Sequence, residues 1–156
     1  MWLIDPVDAP EPEARIQASG RVVGVIQLLD RHGRDGAPLA RRYDAPLHLA
    51  PRDAAPGSPF RVFRAVNLPM WQEAALWWPE HELLVVADAL GTASYFLGPG
   101  ELLAVHPLLR LLPPRSLGKV TPEHVLCGHG AAALRHALRS ARRGIPRWLA
   151  GFVWAS

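Results

Sequence analysis

Three stretches of this sequence place a carboxylate or an imidazole directly behind an apolar run. Asp30-Arg31-His32-Gly33-Arg34-Asp35 follows GVIQLL, Asp88-Ala89-Leu90-Gly91-Thr92 follows LLVVA, and Gly128-His129-Gly130 follows HVLC. Carboxylates and imidazoles are the side chains of proton transfer near neutral pH and of cation coordination. In open α/β layers, sites gather at the carboxyl ends of strands, so three such loops are candidates for one shared site.

For these loops to meet, the runs before them must be strands. Val22 to Leu29 is a continuous β-branched and aliphatic run bounded by Gly20, which predicts a strand buried on both faces. Leu83 to Ala87, the most apolar run of all, pairs with Ala74 to Trp78 as a hairpin across Pro79-Glu80-His81-Glu82. Before His129, His124 to Cys127 reads as a short strand.

The remaining elements follow from punctuation. Trp2-Leu3-Ile4 is a short strand closed by Asp5-Pro6, and a helix is predicted from about Glu13 to Ala18, ended by Ser19-Gly20. Leu39, Ala40 and Tyr43 recur at helical spacing over Ala37 to Tyr43; Pro46 to Leu49 and Phe60 to Val66 read as strands around a proline-rich connection, Ala50 to Pro59. A helix is expected over Leu102 to Leu112 although Pro107 lies in it, and another over Ala131 to Arg143, stopped by Gly144. Strands and helices alternate, so a layered α/β domain spanning residues 1–156 is predicted.

Composition narrows the class. With 156 residues, 49% of them hydrophobic, the chain is long enough for one core. No uncharged apolar run reaches the length of a membrane span, and MWLIDPVDAPEPE lacks the features of a signal peptide, so a soluble cytoplasmic protein is expected. One cysteine, Cys127, excludes an intramolecular disulfide and reads as core filler between Leu126 and Gly128. The net charge is only +3, so nucleic acid is an unlikely partner unless the arginine clusters Arg31 to Arg42 and Arg135 to Arg147 act locally.

The order of these pieces resembles the metallo-β-lactamase superfamily: an early strand ending in LIDP (Leu3 to Pro6), a strand running into an H-x-H-x-D-H loop and helix (Leu28 to Asp35), a late hairpin ending in aspartate (Ala74 to Asp88), and a last strand running into GHG (Val125 to Gly130). The resemblance covers nearly the whole chain. It implies an αββα sandwich, here incomplete at its N-terminal side. It also implies one or two zinc or iron ions that make hydroxide available near neutral pH by lowering the pKa of a bound water.

The resemblance also marks departures. On the H-x-H-x-D-H loop, Asp30 stands at the first histidine, His32 at the second, Arg34 at the aspartate and Asp35 at the third histidine. The next metal-binding histidine of the family has no counterpart, because Pro69, Met70 and Trp71 fill its neighbourhood; Asp88 and His129 match the last two ligands. An intact dinuclear site is therefore not expected. The guanidinium of Arg34 would repel a second ion, and Asp30, Arg31 and Arg34 are expected to form a polar network in place of the metal cluster.

Three functions remain open from this sequence. The first is a non-catalytic or altered relative of a metallohydrolase with no cofactor. The second is a hydrolase of an ester, thioester, lactone or phosphodiester with at most one zinc or iron on some of His32, Asp35, Asp88 and His129. The third is a binder of nucleic acid or an acidic partner through its arginines. His48, His81, His106, His124 and His136 read as ordinary surface or core residues, and Trp77 and Trp78 as residues on opposite strand faces. An edge left bare by the short N-terminal side is expected to be covered by the Trp148 to Trp154 tail or by a homodimer.

Overall fold

The computed structural model describes residues 1–32 and 35–130 in full, together with the backbone of 133–134. Its first sheet is parallel. Strand β1 (Trp2–Ile4) lies beside β2 (Gly24–Gln27), which lies beside β3 (Leu47–Leu49). Parallel neighbours need crossovers, supplied by helices α1 (Pro10–Ser19) and α2 (Gly36–Arg42). Pro10 opens α1 with Glu11 and Glu13 in its first turn, where the helix dipole favours acids, and Gly20 ends it at a φ of 101°.

The unbroken apolar run of β2 has a direct explanation, since all four of its residues are buried. Val25 packs with Leu3, Val22 and Ala40 under the helices. Ile26 and the following Leu28 and Leu29 turn the other way, into the main core. A strand sandwiched on both faces shows no alternation in sequence.

The second sheet has the order β10-β9-β6-β5-β4, with β4 (Arg61–Leu68), β5 (Trp71–Trp78), β6 (Leu83–Val85), β9 (His124–Leu126) and β10 (Ala133–Leu134). β4, β5 and β6 run antiparallel in succession, and β6 pairs with β9 in parallel. A small ribbon of β7 (Leu90–Gly91) and β8 (Ala104–Val105) closes one end. Leu76, Leu84, Val125 and Leu90 meet Ile26, Leu28 and Leu29 between the two sheets, giving a helix–sheet–sheet stack.

An antiparallel bridge from Leu29 to Glu73 joins the sheets, flanked by Asp30 N–H to the Gln72 carbonyl at 3.1 Å and Ala74 N–H to the Leu28 carbonyl at 2.8 Å. The seam pins the loop after β2 against the start of β5.

Two predicted helices are corrected. Leu102 to Leu112 holds β8 and a single 3-10 turn, Pro107–Leu109, because Pro107 has no N–H and its ring obstructs the preceding helical turn. Within Ala131 to Arg143, residues 133–134 pair with β9 as a strand; the remainder of that predicted helix, like the Trp148 to Trp154 tail, lies outside the described residues. β4 and β5 also run longer than predicted, meeting at a tight turn around Pro69 and Met70. No helix among the described residues is long and apolar enough to cross a membrane.

Candidate metal centre

Each of the three strand-end loops is fixed by a different device. After β2, the Gln27 side-chain amide donates to the carbonyls of Leu29 (3.1 Å) and His32 (2.5 Å), curling the loop so that His32 returns over the core. Asp5, in the left-handed region at φ 43°, accepts from the Leu28 N–H at 2.8 Å; its other oxygen lies 3.9 Å from His32 Nδ1.

The turn carrying Asp88 is held from inside. Glu73 is fully buried, and its Oε1 accepts from the N–H groups of Ala87 (2.9 Å) and Ala89 (3.0 Å), the two neighbours of Asp88. Its Oε2 accepts from the Trp71 indole at 3.0 Å. Desolvation raises the Glu73 carboxyl to about 7 in spite of these three donors.

The third loop needs both its glycines. A Cβ on Gly128 would lie 3.0 Å from the Ala87 carbonyl oxygen, which accepts from the Gly128 N–H at 2.9 Å. Gly130 sits at a φ of 100°, and a Cβ there would lie 2.0 Å from Thr92 Oγ1. The His129 carbonyl accepts from the Thr92 N–H, which locks this loop to the Asp88 loop.

The three devices bring His32, Asp88 and His129 together, one ligand atom from each lying within 4.8 Å of the others. His32 Nε2 is 3.2 Å from Asp88 Oδ2, and His129 Nε2 is 3.1 Å from Asp88 Oδ1. Ligands bound at zinc or iron distances of about 2.0–2.2 Å stand about 3–3.5 Å apart; each imidazole is that far from a different Asp88 oxygen, and this two-imidazole, one-carboxylate set has the donor chemistry of such an ion, which would draw the three groups inward from the 4.8 Å that spans them. Burial alone would raise the Asp88 carboxyl. The His32 hydrogen bond and the charges of His32, His129 and His106 outweigh that effect and hold it below the ordinary carboxylate range.

A wall of rings surrounds the triad. His106 meets Trp71 edge-on at 4.8 Å and Phe96 at 5.2 Å, while Phe96 and Tyr95 lie 5.7 and 5.8 Å from His129. Gly91 makes room for Phe96, whose ring would be only 2.7 Å from a Cβ. Desolvation, together with Arg31 and His129, lowers the His106 pKa against the opposing pull of Asp88. Its Nδ1 accepts from the Leu108 N–H, which leaves the proton of the neutral ring on Nε2.

The other predicted site residues lie elsewhere. Asp35 is not in the triad; its Oδ2 accepts from the Asp8 N–H at 2.8 Å. Asp30 accepts from the Gln72 N–H at 3.2 Å. Arg31 donates to the Met70 carbonyl and stacks its guanidinium 4.2 Å over Trp71; among the described residues no ion pair links it to Asp30, Asp35 or Asp88. Asp30 and Arg31 thus fasten the loop to β5, and Arg34, the third member of the expected polar network, lies outside the described residues. Of the other arginines, Arg42 pairs with Asp8 and Glu13, and Arg110 with Glu101.

Glu73, His106 and Asp5 were not singled out from sequence. Glu73 had a usable signal, an acid next to the apolar run AALWW, where burial demands partners. His106 had none, because only the fold brings residue 106 beside 71 and 129. Cys127 is half-buried, and desolvation raises its thiol pKa, so it stays protonated.

No family model and no curated protein matches the sequence. Solved structures do match. TTHA1623 in a di-iron-bound form aligns with a TM-score of 0.61 and 20% identity over 90% of this chain and 87% of its own. The DIM-1 metallo-β-lactamase, from a crystal exposed to ceftazidime, aligns with a TM-score of 0.61 and 12% identity over 90% of this chain and 77% of its own. With two facing sheets, helices outside the first, and three strand-end loops meeting at one point, the chain has the metallo-β-lactamase fold.

Proposed function

We propose that the chain binds one zinc or iron ion through His32, Asp88 and His129 and uses it as a hydrolase on an ester, thioester, lactone or phosphodiester. The observation that carries this reading is the convergence of three donor atoms from three separate loops within 4.8 Å. The di-iron form of TTHA1623 supports iron as one candidate on this scaffold. Such an ion supplies a bound water of lowered pKa and an electrophilic contact for a carbonyl or phosphoryl oxygen.

The chain's own residues have separable tasks under this reading. Asp88 lies between the two imidazoles and holds a negative charge throughout the working pH range. Asp5 faces the His32 ring from its Nδ1 side at 3.9 Å, beyond hydrogen-bond length but near enough for its charge to favour the imidazolium. His106, neutral and carrying its proton on Nε2, adds a polar group to the aromatic wall it shares with Trp71 and Phe96. Phe96 and Trp71, both buried, keep water from the back of the site.

A second reading has an observation of its own: Asp88 is hydrogen-bonded to His32 and lies 3.1 Å from His129 Nε2, so the three groups stabilise one another with no ion. Metal analysis of protein purified without chelator separates the two. About one equivalent of zinc or iron, lost on His129→Ala along with hydrolysis of a chromogenic ester and phosphodiester panel, is the expected result. A metal-free protein that gains no stability from added zinc or iron would leave the network as the function of these residues.

A further inference from the structure

We infer that Glu73 is the positioning residue of this centre: it sets metal affinity by holding the Asp88 turn and the His32 loop in register. The inference rests on the triad being a metal site.

Glu73 does this through two parts of one residue. Its side chain ties down the turn on both sides of Asp88, since a single oxygen accepts from the Ala87 N–H, in the Val86–Ala87 peptide, and from the Ala89 N–H, in the Asp88–Ala89 peptide. Neither peptide plane can rotate, and so re-aim the Asp88 carboxylate, without breaking a buried hydrogen bond. Its backbone bridges to Leu29, three residues before His32, with Asp30 and Leu28 bonded on either side of the bridge. The His129 loop joins the same block, because the Ala87 carbonyl, in the peptide between the two that donate to Glu73, accepts from the Gly128 N–H.

Chemistry favours a positioning role over a packing one. A carboxylate fully enclosed by protein is a costly way to fill space, and an apolar side chain of similar volume would serve the core better. What an apolar side chain lacks is an acceptor for three converging donors, two of them on the turn that presents Asp88. Glu73 itself is absent from the group of donor atoms that face one another, so it acts through Asp88.

Cobalt(II) titration followed by calorimetry and by the visible absorption of the bound ion tests this on the full chain. Glu73→Met, which keeps the volume and removes both acceptors, is expected to weaken binding about 10- to 100-fold and to shift the cobalt bands. Glu73→Gln keeps one oxygen for the two turn N–H groups but turns an amide N–H towards the Trp71 indole, so its loss is smaller. Val25→Ala, a core deletion beneath the helices, lowers the melting temperature and leaves affinity and bands unchanged. If Glu73→Met does not fold, Glu73→Gln alone decides. Folded Glu73 variants that bind like wild type overturn the inference, as does an equal loss in Val25→Ala. A wild-type protein that takes up no cobalt overturns the metal reading as well.

Discussion

The loop after β2 and the pair of loops at Asp88 and His129 solve the same problem in opposite ways. The late loops are held by backbone: Glu73 grips the N–H groups around Asp88, Gly128 donates to Ala87, and Thr92 donates to His129. Their functional side chains are left facing one another. In the early loop most polar side chains are themselves the fasteners. Asp30 accepts from Gln72, Arg31 stacks on Trp71 and Asp35 accepts from Asp8, so among the described residues of this loop His32 is the one that reaches the centre. Both regions have backbone anchors, including the Gln27 bonds and the Leu29 bridge of the early loop, but a side chain spent as a further anchor is not available to a ligand.

The largest expected effects follow directly from that contrast. Asp88→Ala removes the charge between two imidazoles, and metal affinity should fall more than about 100-fold, beyond the loss typical of an outer-shell residue. Asp35→Ala removes a carboxylate of the early loop whose one hydrogen bond among the described residues is to the exposed Asp8 N–H, so affinity should stay within about threefold of wild type. Calorimetry on both variants checks the pair, and comparable losses would erase the distinction between the two regions.

That contrast also shows how much was legible beforehand. The order LIDP, early loop, hairpin aspartate and GHG gave the fold, because burial on both faces of β2 and the punctuation around each strand are local properties written in consecutive residues. His32, Asp88 and His129 were legible for the same reason, each lying just past an apolar run. The assignments to Asp35, Asp30 and Arg31 had to guess where side chains point, and this depends on partners 27 to 42 residues away, Asp8, Gln72 and Met70. Glu73 and His106 were missed because their roles exist only once β5 and β8 are packed. Pro107 was in plain view, and the helix predicted through it fails for the ordinary reason that proline breaks one.

Next in size is a pH effect that tests the late block from within. The Glu73 carboxyl is raised from 4.5 to about 7 by burial, so folding favours its protonated form. Its contribution to stability is complete below pH 4.5 and is lost as pH rises through about 7, in total about 3 kcal/mol at 1.36 kcal/mol per unit. His106 acts oppositely: its lowered pKa contributes stability above its ordinary 6.5, lost as pH falls through the folded value. The informative quantity is therefore the difference between wild type and Glu73→Gln in urea unfolding. It should narrow or reverse from pH 4.5 to 8 by up to about 3 kcal/mol in favour of the glutamine. A constant difference across that range would show that Glu73 titrates normally and is not buried as described.

The smallest effect separates glycines that serve the site from those that only turn the chain. Gly57 and Gly130 both occupy the left-handed region, at φ 76° and 100°, but open space surrounds Gly57 whereas Thr92 blocks a side chain at Gly130. Gly57→Ala should therefore cost only the backbone term, about 1 kcal/mol. Gly130→Ala adds displacement of Thr92 and of its N–H bond to the His129 carbonyl, about 1–2 kcal/mol more, and should weaken metal binding as His129 moves. Paired urea unfolding and cobalt titrations read both quantities. Equal stability losses with unchanged affinity would mean that the His129 loop is held by something other than its seat against Thr92, and the backbone-anchored half of the comparison would lose its third member.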